Sequence, residues 1–238
     1  MSDKSNSFFS NAISGIFFNP YFLIRQKLYQ AIADIAPMLN GMVVDLGCGT
    51  KPYRHLFTSC SNYLGLDIEV SGNTDSKAEV DIYYDGKTFP MESDSVDHVF
   101  SSETFEHIFN LEEILQEIHR VLKPGGLLLA TCPFFWPEHE KPYDFARYSS
   151  FGLMHLLKKN GFEIVQYRKT GTYVSSMIQM QALYLYFFVH KIPLVSYLFF
   201  WLLITPLFLV ALFLETVLPQ RILRNDLYLN NIILAKKI

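Results

Sequence analysis

"VVDLGCGT", residues 43–50, decides the reading of the chain. Val43 and Val44 open a short apolar run, Asp45 stands at its end, and Gly47 and Gly49 follow two residues apart. An apolar run that stops in glycines reads as a buried strand feeding a tight turn. Glycines let the backbone turn sharply and come close to a ligand, where a side chain would collide. Eighteen residues beyond Gly49, a second apolar run, "YLGLD", ends in Asp67. An acid at that distance can accept hydrogen bonds from both hydroxyls of a ribose.

The nucleotide is narrowed by what the turn lacks. A dinucleotide fingerprint needs a third glycine, and that position is Pro52. The G-K-[ST] of a phosphate-binding loop is absent. A ligand with adenosine and no phosphate remains.

Outward from this turn, strands alternate with helices. "AEVDIYY" reads as a third strand, "VDHVFSS" as a fourth, "GLLLATCPF" as a fifth, "FEIVQYRK" as a sixth and "LYLNNIILAKK" as a seventh. "LEEILQEIHRVL" repeats apolar residues at Leu111, Ile114, Leu115, Ile118 and Leu122, which is one helix face, and "KPGG" stops it. "SSFGLMHLLKKNG" reads as a helix between a serine cap and Gly161. A further amphipathic helix is expected between Pro20 and Leu39. "SGNTDSKA" is too short and polar for a full crossover helix, so an abbreviated layer is expected there. This alternation predicts an α/β fold: a mostly parallel sheet with helices on both faces.

Composition sets the outer limits. Half of the 238 residues are apolar and only 18% are charged, against roughly 25% in an ordinary soluble domain. The net charge of -3 gives none of the basic footprint of a nucleic-acid binder. Cys48, Cys60 and Cys132 are far apart and form no C-x-x-C pair, so neither a disulfide framework nor a zinc site is expected. "SFFSNAISGIFFNP" near the start is a poor secretory signal.

Together "VVDLGCGTKPYRHLF", "YLGLD", "DGKTFPMESDSVDHVFSSETFEHI" and "LEEILQEIHRVLKPGGLLLATCPF" resemble the class I S-adenosylmethionine-dependent methyltransferases, in the group known as type 11. The resemblance runs from about Met42 to Lys169 and resumes at the last strand. It implies a Rossmann-like seven-stranded sheet whose last strand is antiparallel, and S-adenosyl-L-methionine as cofactor. It also implies roles. Asp45, Gly47 and Gly49 would form the turn against the methionine part, with Cys48 contributing backbone. Asp67, with Ile68 beside it, would hold the ribose hydroxyls. Asp85 precedes "GKTFP" as the adenine-binding acid does in the family, and Asp81 in the third strand competes for that role. Ser101 and Ser102 would end the fourth strand beside the methyl group. Lys51 replaces a glycine common in the family, and is a candidate ion partner for the methionine carboxylate.

Methyl transfer from a sulfonium is an in-line displacement that mainly needs alignment, with a base if the acceptor is a hydroxyl. No metal is expected. "ETFEHI" offers Glu103, Glu106 and His107, and "FFWPEHEKPYDFARYS" offers His139, Tyr143, Asp144 and Arg147. A histidine there can take a proton near neutral pH, and Arg147 could bind a phosphate or carboxylate on two nitrogens. Asp144 and Tyr148 could equally pin their loop by hydrogen bonds.

Two runs lack charge: Thr172–Val189 and Ile192–Leu214, parted by His190, Lys191 and Pro193. The second has the length of about twenty residues that a bilayer crossing takes. Pro206 is a candidate kink within it. If "NNIILAKK" is the seventh strand beside the sixth, both ends of this segment return to one side, and a single crossing is excluded. A helical hairpin or a two-span pair remains, flanked by Arg168, Lys169, Arg221 and Arg224 as a cytoplasmic side would be. A soluble alternative is an apolar cap over a dimer interface or pocket. The expected organisation is an N-terminal helical segment over 1–40, a methyltransferase domain over 41–171 and 225–238, and a membrane-associating hairpin over 172–218.

The sixth strand, parallel to the first, would release this hairpin beside the cofactor edge. The expected function is therefore a methyltransferase on the cytoplasmic face of a membrane, with a lipid-linked or amphipathic acceptor: an isoprenoid, a quinone precursor or a lipid-linked saccharide. The rivals are a soluble saccharide or small-molecule acceptor with the hairpin as anchor only, and a cofactor-binding scaffold without turnover.

Overall fold

The computed structural model describes residues 13–69, 79–189 and 198–238. Seven strands form one sheet: β1 (Gly41–Leu46), β2 (Cys60–Ile68), β3 (Ile82–Tyr84), β4 (Val96–Ser102), β5 (Leu122–Pro133), β6 (Phe162–Thr170) and β7 (Asn230–Lys237). Their order is β3-β2-β1-β4-β5-β7-β6. β1 pairs in parallel with β2 and β4, β2 with β3, and β4 with β5. β7 runs the other way. Leu229 N–H donates to Thr170 O past the end of β6, while Ile238 N–H donates to Gly161 O before its start. The antiparallel last strand is thus in place.

β1 reads as a near-continuous apolar run because both faces are covered: Val43, Val44 and Leu46 are fully buried. Helix α1 (Phe22–Ile35) precedes β1, and two helices pack in the sheet's core: α2 (Leu111–Val121) and α3 (Ser150–Lys159). The apolar stripe of α2, Leu111, Ile114, Leu115, Ile118 and Val121, packs with Val99, Leu128 and Ala130 of the sheet in one core. Ser149 caps α3 by accepting Gly152 N–H at 3.2 Å, and Gly161 takes φ 82° just after Asn160. "KPGG" differs from a simple turn. Leu122 is already extended and pairs with Val96, and the register jumps to His98 with Leu127. The residues between bulge out of β5, and Gly125 takes φ 78° there.

The chain divides into two compact units. One comprises Ile32–Arg168 with Asn231–Ile238 and carries most of the sheet and its core. The other joins the described residues up to Ala31 with Lys169–Asn230. In this second unit α4 (Tyr173–Val189) and α5 (Thr205–Val217) pack side by side, followed by the short α6 (Gln220–Leu223). The two long helices are antiparallel. Thr172, before α4, donates its hydroxyl to Glu215 near the end of α5 at 2.8 Å, and Tyr186, late in α4, meets the Phe200 ring just before α5. A π-helical turn, Phe200–Ile204, leads into α5, so Pro206 sits in the first turn of α5, where its missing N–H is tolerated.

The N-terminal residues pack into this hairpin. Ile16, Phe22 and Leu23 share a core with Ala182, Phe200, Ile204, Phe208 and Ala211. Gln179 is fully buried and bridges to α1, donating to Pro20 O at 2.6 Å and accepting Ile24 N–H at 3.3 Å. Lys27 pairs with Glu215 at 2.5 Å. The abbreviated segment 71–78 and the hairpin tip His190–Pro193 lie outside the described residues.

Candidate active site

The turn after β1 is built as its glycines require. Gly47 takes φ 71°, and a Cβ there would lie 2.3 Å from the Thr104 hydroxyl. Its N–H donates to Leu66 O of β2 at 2.8 Å, which closes the turn onto the neighbouring strand. Gly49 also has positive φ, at 47°, but a Cβ there would meet nothing within 4 Å. The turn therefore borders an open hollow that a side chain would enter. Asp67 stands at the hollow's edge, accepting Gly49 N–H on Oδ2 at 3.1 Å and Ile68 N–H on Oδ1 at 2.9 Å. A backbone cradle beside a carboxylate at the end of β2 fits an adenosine-bearing ligand without phosphate.

Asp45 lies beneath the turn, 3% exposed, with Tyr63 donating to its Oδ2 at 2.6 Å. Burial pushes its carboxyl up to about 7; the Tyr63 hydrogen bond opposes this and the nearby Asp67 charge adds to it. Tyr63 had no signal in the sequence. Cys48 is buried, and burial together with the Asp45 charge pushes its thiol up, so it packs as an inert group.

Lys51 and Asp81 hold each other. Lys51 Nζ lies 2.5 Å from Asp81 Oδ2, which also accepts Gly65 N–H at 2.6 Å. The Lys51 hydrogen bond, then that of Gly65, holds the Asp81 carboxyl below its usual range. Lys51 thus straps the turn to the chain before β3 rather than standing loose for a ligand carboxylate. Asp85 follows β3 directly and is exposed; its Oδ1 accepts Thr88 N–H at 2.8 Å and Lys87 N–H at 2.9 Å. Because Tyr84 pairs with Ile68, Asp85 lies one strand from Asp67 on the same edge. Of the two adenine candidates, Asp85 is placed on that edge, while Asp81 is engaged in the Lys51 strap. Ser101 is buried and donates to Leu46 O at 3.1 Å, and Ser102 shares a 3.0 Å hydrogen bond with Thr131. Both tie strand ends together.

The loops after β4 and β5 open on the same edge, since β1, β4 and β5 are parallel. Phe145 and Ala146 N–H both donate to Glu106 O, at 2.8 and 3.2 Å, and this lashes the loops together. The Glu106 side chain is fully buried, and neither carboxyl oxygen has a hydrogen-bond partner. Burial, then the charge of Glu103, pushes its carboxyl well above the usual range. His107 Nδ1 lies 2.8 Å from Tyr143 O, so that nitrogen is the donor. His107 Nε2 stands 3.8 Å from Glu106 Oε1, and His139 Nε2 stands 3.9 Å from it. The two imidazole rings meet edge to face at 4.7 Å. Burial, then His107, pushes the His139 pKa down, which favours its uncharged form.

Arg147 is fully engaged. It grips Asp144 on two nitrogens at 2.6 and 2.7 Å and donates to the carbonyls of Trp136, Pro137 and Ala146. Asp144 also accepts His139 N–H at 2.9 Å. The expected anion-binding arginine is a loop fastener, and Asp144 pins the loop as its alternative reading had it. Phe109, Tyr143 and Phe145 form an exposed aromatic rim, with Phe145 5.4 Å from Phe109 and 6.5 Å from Tyr143. Of the sequence candidates, Glu106, His107 and His139 converge.

Residues 44–130 match the family model described as a methyltransferase domain. The chain is 27% identical over 157 residues to a probable S-adenosylmethionine-dependent methyltransferase of Mycolicibacterium smegmatis, covering 61% of this chain and 60% of that one. It is 37% identical over 99 residues to the sterol 24-C-methyltransferase of Schizosaccharomyces pombe, covering 36% and 26%. Among solved structures, it is similar to the Haemonchus contortus phosphoethanolamine N-methyltransferase 2 in complex with S-adenosyl-L-methionine. That likeness has a TM-score of 0.56 at 20% identity, over 98% of this chain and 57% of that one. The chain spans 60% or less of the length of each of these three proteins.

The fold is that of the class I S-adenosylmethionine-dependent methyltransferases, and residues 44–130 match a methyltransferase domain. S-adenosylmethionine is the cofactor that this similarity points to, and the turn, the open hollow and Asp67 have a geometry that suits it.

Proposed function

We propose that this chain transfers a methyl group from S-adenosylmethionine to an amphipathic or lipid-linked acceptor while its apolar hairpin rests in the cytoplasmic leaflet of a membrane. Bound cofactor supplies an electrophilic methyl on a sulfonium whose departure leaves a neutral thioether. Asp67 would take the ribose hydroxyls, the ligand would lie against the backbone at Gly49, and Asp85 would accept from the adenine amine. Glu106, His107 and His139, on the same sheet edge, are the groups available to the acceptor.

The observation that carries the membrane reading is the outward face of the segment Phe200–Val217. Among the described residues it is the one helix long and apolar enough to cross a membrane, and only 28% of it is buried. Leu202, Leu209, Val210, Phe213 and Val217 are exposed, and Tyr184, Phe187 and Phe188 are exposed on α4. An uncovered apolar surface of this extent marks an interaction with a membrane or another protein. Gln179, Ser175 and Ser176, which would be costly in lipid, are buried within the unit instead. At 1.5 Å per residue α4, with 17 residues, is about 26 Å long, and the 18-residue segment Phe200–Val217 about 27 Å, close to the bilayer core of about 30 Å. The aromatic rim of Phe109, Tyr143 and Phe145 suits an acceptor with an apolar body.

The test is methylation with labelled cofactor, offering the full chain a total lipid extract of its source cells in vesicles and, separately, the aqueous extract. Label in the organic phase supports the proposal. Label confined to water-soluble product overturns the lipid acceptor and leaves the hairpin as an anchor. Cofactor binding with no labelled product in either phase overturns turnover itself.

A further inference from the structure

We propose that Glu106, His107 and His139 form a binding site for a divalent first-row transition-metal cation. One ligand atom from each lies within 4.8 Å of the others: a carboxylate oxygen and two imidazole nitrogens. The cluster is more than three proximate residues, because Glu106 and His107 present buried donor atoms that have no hydrogen-bond partner.

His107 has its Nδ1 proton held by Tyr143 O at 2.8 Å, and its Nε2 is buried without a hydrogen-bond partner. His139 has Nδ1 beside Asp144 Oδ2 at 3.2 Å, Pro137 O at 3.3 Å and Arg147 Nη2 at 3.4 Å, and its Nε2 stands 3.9 Å from Glu106 Oε1. An imidazole whose outer nitrogen is held by a carbonyl or carboxylate, with the inner nitrogen free, is the arrangement of a metal-ligating histidine. Asp144 is in turn fixed by Arg147, which makes the support two layers deep.

Glu106 supplies the second, independent sign. Its side chain is fully buried and both oxygens lack a partner. A polar group in that position costs roughly 1–3 kcal/mol unless something satisfies it, and more if it is charged. Neither imidazole satisfies it at 3.8–3.9 Å. A cation seated between the three would answer all the bare atoms at once. Donors about 2.0–2.1 Å from a tetrahedral metal lie about 3.4 Å apart, so the side chains need to close by about 0.4 Å to as much as about 1.4 Å. Two nitrogens and one carboxylate leave coordination positions open, as in catalytic rather than structural sites. Two imidazoles out of three donors favour zinc, iron, cobalt or manganese over magnesium and calcium, which prefer oxygen alone.

The site is read by metal binding, independently of any acceptor. The full chain is purified without chelator, dialysed and assayed for bound metal. The metal-stripped chain is then titrated with Co2+, followed by its visible absorption, and with Zn2+ and Mg2+ by calorimetry. About one transition-metal ion per chain is expected, with ligand-field bands on cobalt addition and Zn2+ far tighter than Mg2+. H107Q, H139Q and E106Q should each weaken Co2+ binding at least about tenfold. H139Q is the safe variant for folding, since His139 is half-exposed on a loop; its circular dichroism and thermal midpoint should stay close to those of the parent chain. Cofactor binding, measured on the same preparations, should persist in H139Q, which separates loss of the metal site from loss of the methyltransferase reading. No stoichiometric metal and no cobalt bands, unchanged Co2+ affinity in all three variants, or Mg2+ binding as tight as Zn2+ would each overturn the proposal.

Discussion

Asp67 accepts the N–H of Gly49 at 3.1 Å, so the carboxylate at the end of β2 and the second glycine of the turn after β1 fix each other. The relationship orients the acid toward the open side of the turn, where a ribose would lie. Asp67→Ala removes the carboxylate that would receive two hydroxyls. Hydrogen bonds to a charged group are worth about 1.5–3 kcal/mol each, and 1.4 kcal/mol is a factor of ten. S-adenosylmethionine affinity, by calorimetry, should fall at least about tenfold, with the thermal midpoint of the ligand-free chain little changed. An unaltered affinity would show that the ribose lies elsewhere.

The two glycines separate folding from binding. Gly47→Ala places a Cβ 2.3 Å from the Thr104 hydroxyl and 2.9 Å from Thr104 Cβ, at positive φ. That variant should be strongly destabilised, with a clear drop in thermal midpoint. Gly49→Ala meets no protein atom within 4 Å, so its structural penalty is the left-handed backbone alone, about 1–2 kcal/mol. Its new methyl group enters the hollow assigned to the cofactor. Calorimetry should then show a greater loss of cofactor affinity in Gly49→Ala than its modest destabilisation would suggest.

The sheet was legible because strands such as β1, β2 and β4 declare themselves locally: an apolar run, then a glycine, an acid or a serine. Asp45, Gly47, Gly49 and Asp67 were legible for the same reason, since spacing along the chain fixes their meeting across parallel strands. The engagement of Lys51 with Asp81 was not, because thirty residues separate them and neither carries a pattern. Arg147 misled for a related cause. Its five donors looked available in sequence, and the carbonyls that take them are backbone atoms, to which residue type gives no clue. The packing of Phe22 and Leu23 into the hairpin was invisible too, since apolar periodicity shows that a face is buried and not against what.

Asp144 and Arg147 give the fold an acid-sensitive link. Burial pushes the Asp144 carboxyl up, but Arg147 and the N–H of His139 outweigh it and hold it at about 2, below its ordinary 3.8. A carboxyl with a depressed folded pKa stabilises the protein fully above its unfolded value, and the contribution is lost as pH falls through the folded one. Between about pH 4 and pH 2 the parent chain should therefore lose stability more steeply than Asp144→Asn. Denaturant unfolding across that range measures the two slopes, and equal slopes would mean that the pair contributes nothing.

Gln179 tests how α1 is held to the hairpin. Its amide donates to Pro20 O and its carbonyl oxygen accepts Ile24 N–H, both buried contacts at the first turn of α1. Gln179→Leu keeps the volume roughly constant and strips both hydrogen bonds, leaving the backbone groups unanswered. Each unsatisfied buried group costs about 1–3 kcal/mol. The loss falls on the unit made of the N-terminal residues and Lys169–Asn230, so the expected signature is local. Limited proteolysis should cut near Pro20 faster in the variant, and amide exchange at Ile24 should accelerate, while cofactor affinity is retained. If exchange at Ile24 is unchanged, the packing of Phe22 and Leu23 alone holds the helix, and the glutamine is dispensable there.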